Sequence, residues 1–106
     1  MPDSAPVNIA PAGALPPLST HGSELPYLFD QPNAPFPAVL TADQQALAAS
    51  MRTAWTSFAA SGSPSTHALS WPAFSHGAKV LSLQTPQSQT ETSFAADHHC
   101  SFWAVG

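Results

Sequence analysis

The chain is predicted to mix helix and strand and to be incomplete on its own, and three observations predict it. One strongly patterned helix occupies the middle of the sequence, one short strand follows it, and the large apolar side chains are too few to enclose both. Leu, Ile, Val and Phe together number 20 of 106 residues, about 19%, while alanine alone supplies 19. That share lies near the level at which chains stop folding, yet a formal charge of −4 with 8% charged residues lacks the high charge of disordered segments. Ordering a chain costs roughly 1–2 kcal/mol of backbone entropy per residue. The composition therefore reads as a piece of a larger globular body. Its length suits one domain and not two.

Residues 1–19 form a Pro/Ala-rich lead-in, with Pro2, Pro6, Pro11, Pro16 and Pro17 favouring extended chain. Within it Val7-Asn8-Ile9 is a scrap of strand. Residues 20–29, Thr20-His21-Gly22-Ser23-Glu24-Leu25-Pro26-Tyr27-Leu28-Phe29, form a loop that ends in an apolar run able to anchor it. Pro26 suits the first turn of a short helix, and a short strand is the other reading of that run. Pro32, Pro35 and Pro37 make 30–39 a connection.

The long helix is predicted from about Ala42 to Ala60. Thr41 with Gln44 three residues later is a capping box, and Asp43 favours the positive end of the helix dipole. Leu47, Met51, Trp55 and Phe58 fall at spacings of four, four and three, one buried stripe. Gly62 stands where a left-handed cap ends a helix, and Pro64 prevents continuation. Residues 63–77 form a loop in which Trp71-Pro72-Ala73-Phe74 clamps a neighbouring surface. Lys79 to Gln84 is the predicted strand, with Leu81 and Leu83 on one face. Residues 85–93 read as a polar loop, and 94–105 as a closing helix that buries Phe94, Phe102 and Trp103.

Composition excludes several functions. Arg52 and Lys79 are the two basic residues, too few for a phosphate-binding surface or an anionic membrane. No apolar run approaches the roughly 20 residues of a membrane span, and the first residues lack the basic and apolar regions of a secretory signal. Compartment stays unknown. Cys100 is the lone cysteine, so no internal disulfide forms, and beside Phe102-Trp103 it reads as a buried thiol. His98-His99-Cys100 lacks the spacing that lets ligands converge on zinc; His67 and His76 are scattered, and neither a metal nor a cofactor is expected.

His21 is the histidine in a chemically suggestive frame. An imidazole can take a proton from a serine hydroxyl and return it to a leaving group, given a nucleophile and an orienting acid within reach. The sequence holds no G-x-S-x-G nucleophile turn; Ser61-Gly62-Ser63 ends a helix and lacks that frame.

Five stretches in order resemble the C-terminal region of the type-B carboxylesterases, the family that includes the cholinesterases. His21-Gly22-Ser23-Glu24-Leu25-Pro26-Tyr27-Leu28-Phe29 is similar to the catalytic-histidine loop. Trp55 through Pro64 fits W-x-x-F-A-x-x-G-x-P. Trp71-Pro72-Ala73-Phe74 is like W-P-x-Y, with Phe for Tyr. Val80-Leu81-Ser82-Leu83 resembles a late short strand, and Cys100-Ser101-Phe102-Trp103 a closing C-x-F-W. The resemblance spans roughly residues 14–103. It implies the C-terminal portion of an α/β-hydrolase fold, with 20–106 as the C-terminal part of a type-B carboxylesterase domain, and ester hydrolysis through an acyl-serine. In that scheme His21 is the general base and then the general acid, and Glu24 steadies its loop. Triad order in this fold is serine, acid, histidine, so the serine and the acid would be supplied by a missing N-terminal esterase portion, and the chain alone would be inactive. The substrate would be a small carboxylic ester. The family's closing cysteine pairs in some members with an upstream one that this sequence lacks. The alternatives are a small non-catalytic interaction module that docks through the exposed face of the long helix, or a complementing fragment of a split esterase.

Overall fold

A computed structural model describes residues 21–34, 38–74 and 79–104. In chain order its elements are α1 (Leu25–Leu28), α2 (Ala42–Ser61), β1 (Val80–Ser82), β2 (Gln89–Glu91), α3 (Phe94–Asp97) and α4 (Cys100–Trp103). The Pro/Ala-rich lead-in, the Val7-Asn8-Ile9 strand and His76 lie outside the described residues.

Helix α2 organises the rest, and its ends are built by the residues that predicted them. The Thr41 hydroxyl accepts from the Gln44 amide at 3.3 Å, and the Gln44 side-chain oxygen accepts from the Thr41 amide at 2.9 Å. Two of the amides a helix leaves unpaired at its start are thereby satisfied. Gly62 sits at φ 76° and donates its N–H to the Phe58 carbonyl at 2.8 Å. A Cβ is disfavoured in that left-handed conformation, so glycine ends the helix cleanly. Thr41→Ala is expected to cost about 1 kcal/mol, read as a lower urea midpoint, while Thr41→Ser keeps the acceptor and the stability.

The stripe on α2 is only half covered. Leu47, Ala48, Met51 and Ala54 are buried, and Tyr27 from α1 completes a cluster flanked by Leu28, Leu40 and Leu83. Trp55 and Phe58 continue the same stripe but are 44% and 57% exposed. Helix α1 is four residues long, about 6 Å, so it can cover less than two turns of its neighbour. The loop after α2 folds back through paired bonds. The Ser65 hydroxyl donates to the Trp71 carbonyl at 3.2 Å and accepts from the Trp71 amide at 3.1 Å. The Thr66 amide donates to the Leu69 carbonyl at 2.8 Å, and the Thr66 hydroxyl accepts from the Leu69 amide at 3.0 Å. These bonds bury Leu69 and hold Trp71 edge-on against Trp55, ring centroids 5.7 Å apart.

The sheet corrects the sequence reading twice. The strand expected over Lys79–Gln84 is three residues long, and it pairs antiparallel with Gln89–Glu91, inside the stretch read as a loop. Thr90 faces Leu81 across the ladder, with Val80 opposite Glu91 and Ser82 opposite Gln89. A polar strand carries little hydrophobic signal; its backbone bonds to β1 define it.

The expected closing helix is two single turns. The chain breaks at His99, which adopts φ 51°, so α3 and α4 are separate. Phe94, Phe102 and Trp103 were expected to be buried and are 38%, 73% and 73% exposed. Cys100, expected as a buried thiol, is exposed as well. None of the residues in these two turns is buried. Among the described residues no helix is long and apolar enough to cross a membrane.

Candidate functional site

The histidine turn is built by its backbone. Gly22 adopts φ 79°, a conformation open to glycine and costly to residues with a Cβ. That geometry lets the Gly22 carbonyl accept from the Leu25 amide at 3.1 Å, and the chain then enters α1. The Glu24 carbonyl accepts from Tyr27 at 3.0 Å, and Leu25 from Phe29 at 2.8 Å. A Cβ added at Gly22 would meet Leu25 Cδ1 at 3.7 Å, ordinary contact. The cost of a side chain there is thus conformational. Gly22→Ala is expected to destabilise the fold by about 1–2 kcal/mol, measured as a shift in the urea midpoint with the far-ultraviolet spectrum unchanged.

His21 stands at the start of this turn with its side chain exposed. No hydrogen bond engages its imidazole among the described residues. Glu24 occupies the N-cap of α1 in helical conformation, exposed, and makes no capping bond with its side chain. The turn is therefore steadied by backbone bonds and by its fastening to α2. That fastening has two parts. Tyr27, 7% exposed, enters the core cluster with Leu47, Ala48 and Met51. Arg52 Nη1 donates to the Tyr27 carbonyl at 2.9 Å, satisfying one of the acceptors left open at the end of α1.

Arg52 is the positioning residue that reading the sequence missed. It acts across 25 residues, from the middle of a helix to a backbone carbonyl. No local pattern encodes such a bond; its one hint is that a chain with two basic residues places one of them on its central helix.

The other sequence candidates are not gathered here. His98 lies against Phe94 with ring centroids 4.2 Å apart, and His99 forms the left-handed break. His67 is exposed in the loop after α2. Among the described residues no three His, Cys, Asp or Glu side chains converge as a metal site. Ser61-Gly62-Ser63 closes α2, where the Ser57 hydroxyl donates to the Ser63 carbonyl at 2.8 Å. It is a helix stop and not a nucleophile turn.

Two cavities among the described residues lie away from His21. One of about 420 Å³ opens between α2, the 68–70 loop and the hairpin, with Ser50, Ser70, Gln84 and Ser88 in its wall. A smaller one of about 210 Å³ borders α1 at Pro26, Phe29 and Asp30. Neither has His21 or Glu24 in its wall. The histidine is thus exposed at the start of a turn anchored from behind, and no acid or hydroxyl is hydrogen-bonded to it among the described residues.

The model of the carboxylesterase family matches residues 6–103. A comparison with curated proteins returns no match. A match running through the histidine turn, α2, the hairpin and the closing turns makes the chain a member of the carboxylesterase family, and four helices with a two-stranded sheet among the described residues are compatible with a fragment of the α/β-hydrolase fold this family implies.

Proposed function

We propose that this chain is the C-terminal segment of a serine carboxylic ester hydrolase, with 20–106 as its part of the esterase domain, and that it supplies the catalytic histidine, His21. One observation carries the reading: within a chain matched to the family from 6 to 103, His21 lies exposed on a turn that α2 holds from behind. A general base must face a nucleophile that comes from elsewhere, and an imidazole anchored through Tyr27 and Arg52 is presented for that. In the assembled enzyme His21 takes the proton of a serine hydroxyl as its oxygen attacks the ester carbonyl. It returns that proton to the departing alcohol, then repeats the cycle with water to free the acid. Glu24 steadies the turn once a second body covers it. The substrates are small, fairly apolar carboxylic esters, and no cofactor or metal takes part.

The bare apolar side chains support the same reading. Phe102 and Trp103 are each 73% exposed, and Phe29 is 60% exposed, more large apolar surface than a thin-cored chain gains by leaving in water. They are the seats of a serine-bearing body.

The sequence carries no G-x-S-x-G serine turn, and in the family's scheme the donors that stabilise an oxyanion, one of which is worth about 10²–10³ in rate, also belong to the other portion. The purified chain is therefore expected to hydrolyse p-nitrophenyl butyrate no faster than its His21→Ala variant. A clear rate that disappears in that variant would refute the proposal and make the chain an enzyme by itself.

A further inference from the structure

We propose that the cavity between α2, the 68–70 loop and the hairpin binds a neutral polyhydroxyl molecule, a sugar or polyol. It encloses about 420 Å³, within the range of about 300–1,000 Å³ of small-molecule sites. Three segments build it, and each is held by its own bonds. The caps at Thr41 and Gly62 fix α2. Ser65 and Thr66 tie the loop to Trp71 and Leu69. The ladder between β1 and β2 fixes the hairpin. A wall already in place loses little freedom when a ligand enters.

The chemistry of the wall selects the ligand. Its polar side chains are Ser50 from α2, Ser70 from the loop, and Gln84, Gln87, Ser88 and Thr90 from the hairpin. Hydroxyls and primary amides both donate and accept. No charged side chain and no aromatic ring stands in this wall. An ion would leave water without a counter-charge, and a flat heterocycle would have no ring to stack on. Sugar hydroxyls also donate and accept, and Leu69, Leu81 and Pro86 offer apolar surface to the C–H face of the ring.

Ser88 supplies a second, separate observation. Its Oγ is closed to water and has no hydrogen-bond partner among the described residues. A buried hydroxyl left in that state has lost its hydration without compensation. Ser88 is half-buried as a residue and belongs to the cavity wall. Turning to another staggered χ1 well gives the hydroxyl a partner on the ligand. The inference stands on this wall and does not depend on the esterase reading.

The test titrates the isotope-labelled full chain with D-glucose and with sorbitol, followed by NMR, using glucuronate and glucosamine as charged counterparts. The neutral molecules are expected to shift the side-chain amides of Gln84 and Gln87 and the backbone amides of 68–70 along saturating curves. The charged sugars are expected to bind about tenfold more weakly or worse. Ser88→Ala is expected to weaken glucose about fivefold or more, while the urea midpoint of the free chain holds or rises because the unpaired hydroxyl is gone. Gln87→Ala, at an exposed position, is expected to weaken glucose in the same direction. Failure of both neutral molecules to give saturating shifts would overturn the proposal. So would equal affinity for the charged sugars, or an unchanged glucose affinity in Ser88→Ala.

Discussion

When this chain is combined with the serine-bearing portion of a carboxylesterase-family enzyme cut before its own histidine loop, His21→Ala is expected to lower the recovered kcat by about 10⁶. The size follows from the role. A serine hydroxyl is a poor nucleophile until its proton has somewhere to go, and triad members act as a unit, so losing the base forfeits nearly the whole contribution of the triad. What survives is binding and oxyanion stabilisation on the other body. The variant should associate as well as the wild-type chain, because His21 is exposed and contributes nothing to the core. The effect therefore falls on kcat at unchanged complex formation, measured by titrating one part with the other. A drop below tenfold would remove His21 from the chemistry.

Tyr27→Ala is expected to cost about 3–4 kcal/mol, the range for deleting a buried aromatic side chain. For a chain of this length total stability is about 5–15 kcal/mol, and the core here is thin. Among the described residues the buried apolar side chains are Tyr27, Leu47, Ala48, Met51, Ala54 and Leu69. Tyr27 is the aromatic ring in that group and the buried side chain of the histidine turn, with Leu28 packed partly buried beside it, so its loss should free residues 22–29 first. Two readouts check this: the urea midpoint, and amide exchange, which should accelerate at 22–29 while the middle of α2 stays protected. Tyr27→Phe retains the ring and should lose about 1 kcal/mol at most. If Tyr27→Ala shifts the midpoint by no more than a surface substitution, the turn is held by something other than this ring.

How much of this was legible in the sequence depended on whether the signal was local. Thr41, Gln44 and Gly62 act within a few residues of themselves, so both ends of α2 could be read directly. The left-handed Gly22 has no such partner pattern, but His-Gly before an apolar run marked the turn. The Arg52 bond to the Tyr27 carbonyl joins residues 25 apart and could not be read. The Gln89–Glu91 strand was missed because β1 creates it; alone its residues carry only polarity. The closing segment failed for another reason. Phe94, Phe102 and Trp103 have the hydrophobicity of buried residues, and sequence reports that they favour burial without reporting which surface buries them. Here no described surface does, which is also why the lower half of the α2 stripe, Trp55 and Phe58, is half exposed.

The same distinction applies to the candidate site. Motif resemblance singles out the loop, the family match runs through it, and the structure adds how the loop is held: a positive-φ glycine, a buried tyrosine and one guanidinium on a carbonyl. None of these creates a catalyst from His21 alone. They present it.

Ester hydrolysis by the mixed parts is the most direct test that this histidine serves a serine on another polypeptide segment. With p-nitrophenyl butyrate, neither part should turn over alone, and mixing should yield a rate that saturates as the present chain is added and is absent with His21→Ala. A rate that is the same with the wild-type and His21→Ala chains, or no rate despite a complex shown by sedimentation, would contradict the account.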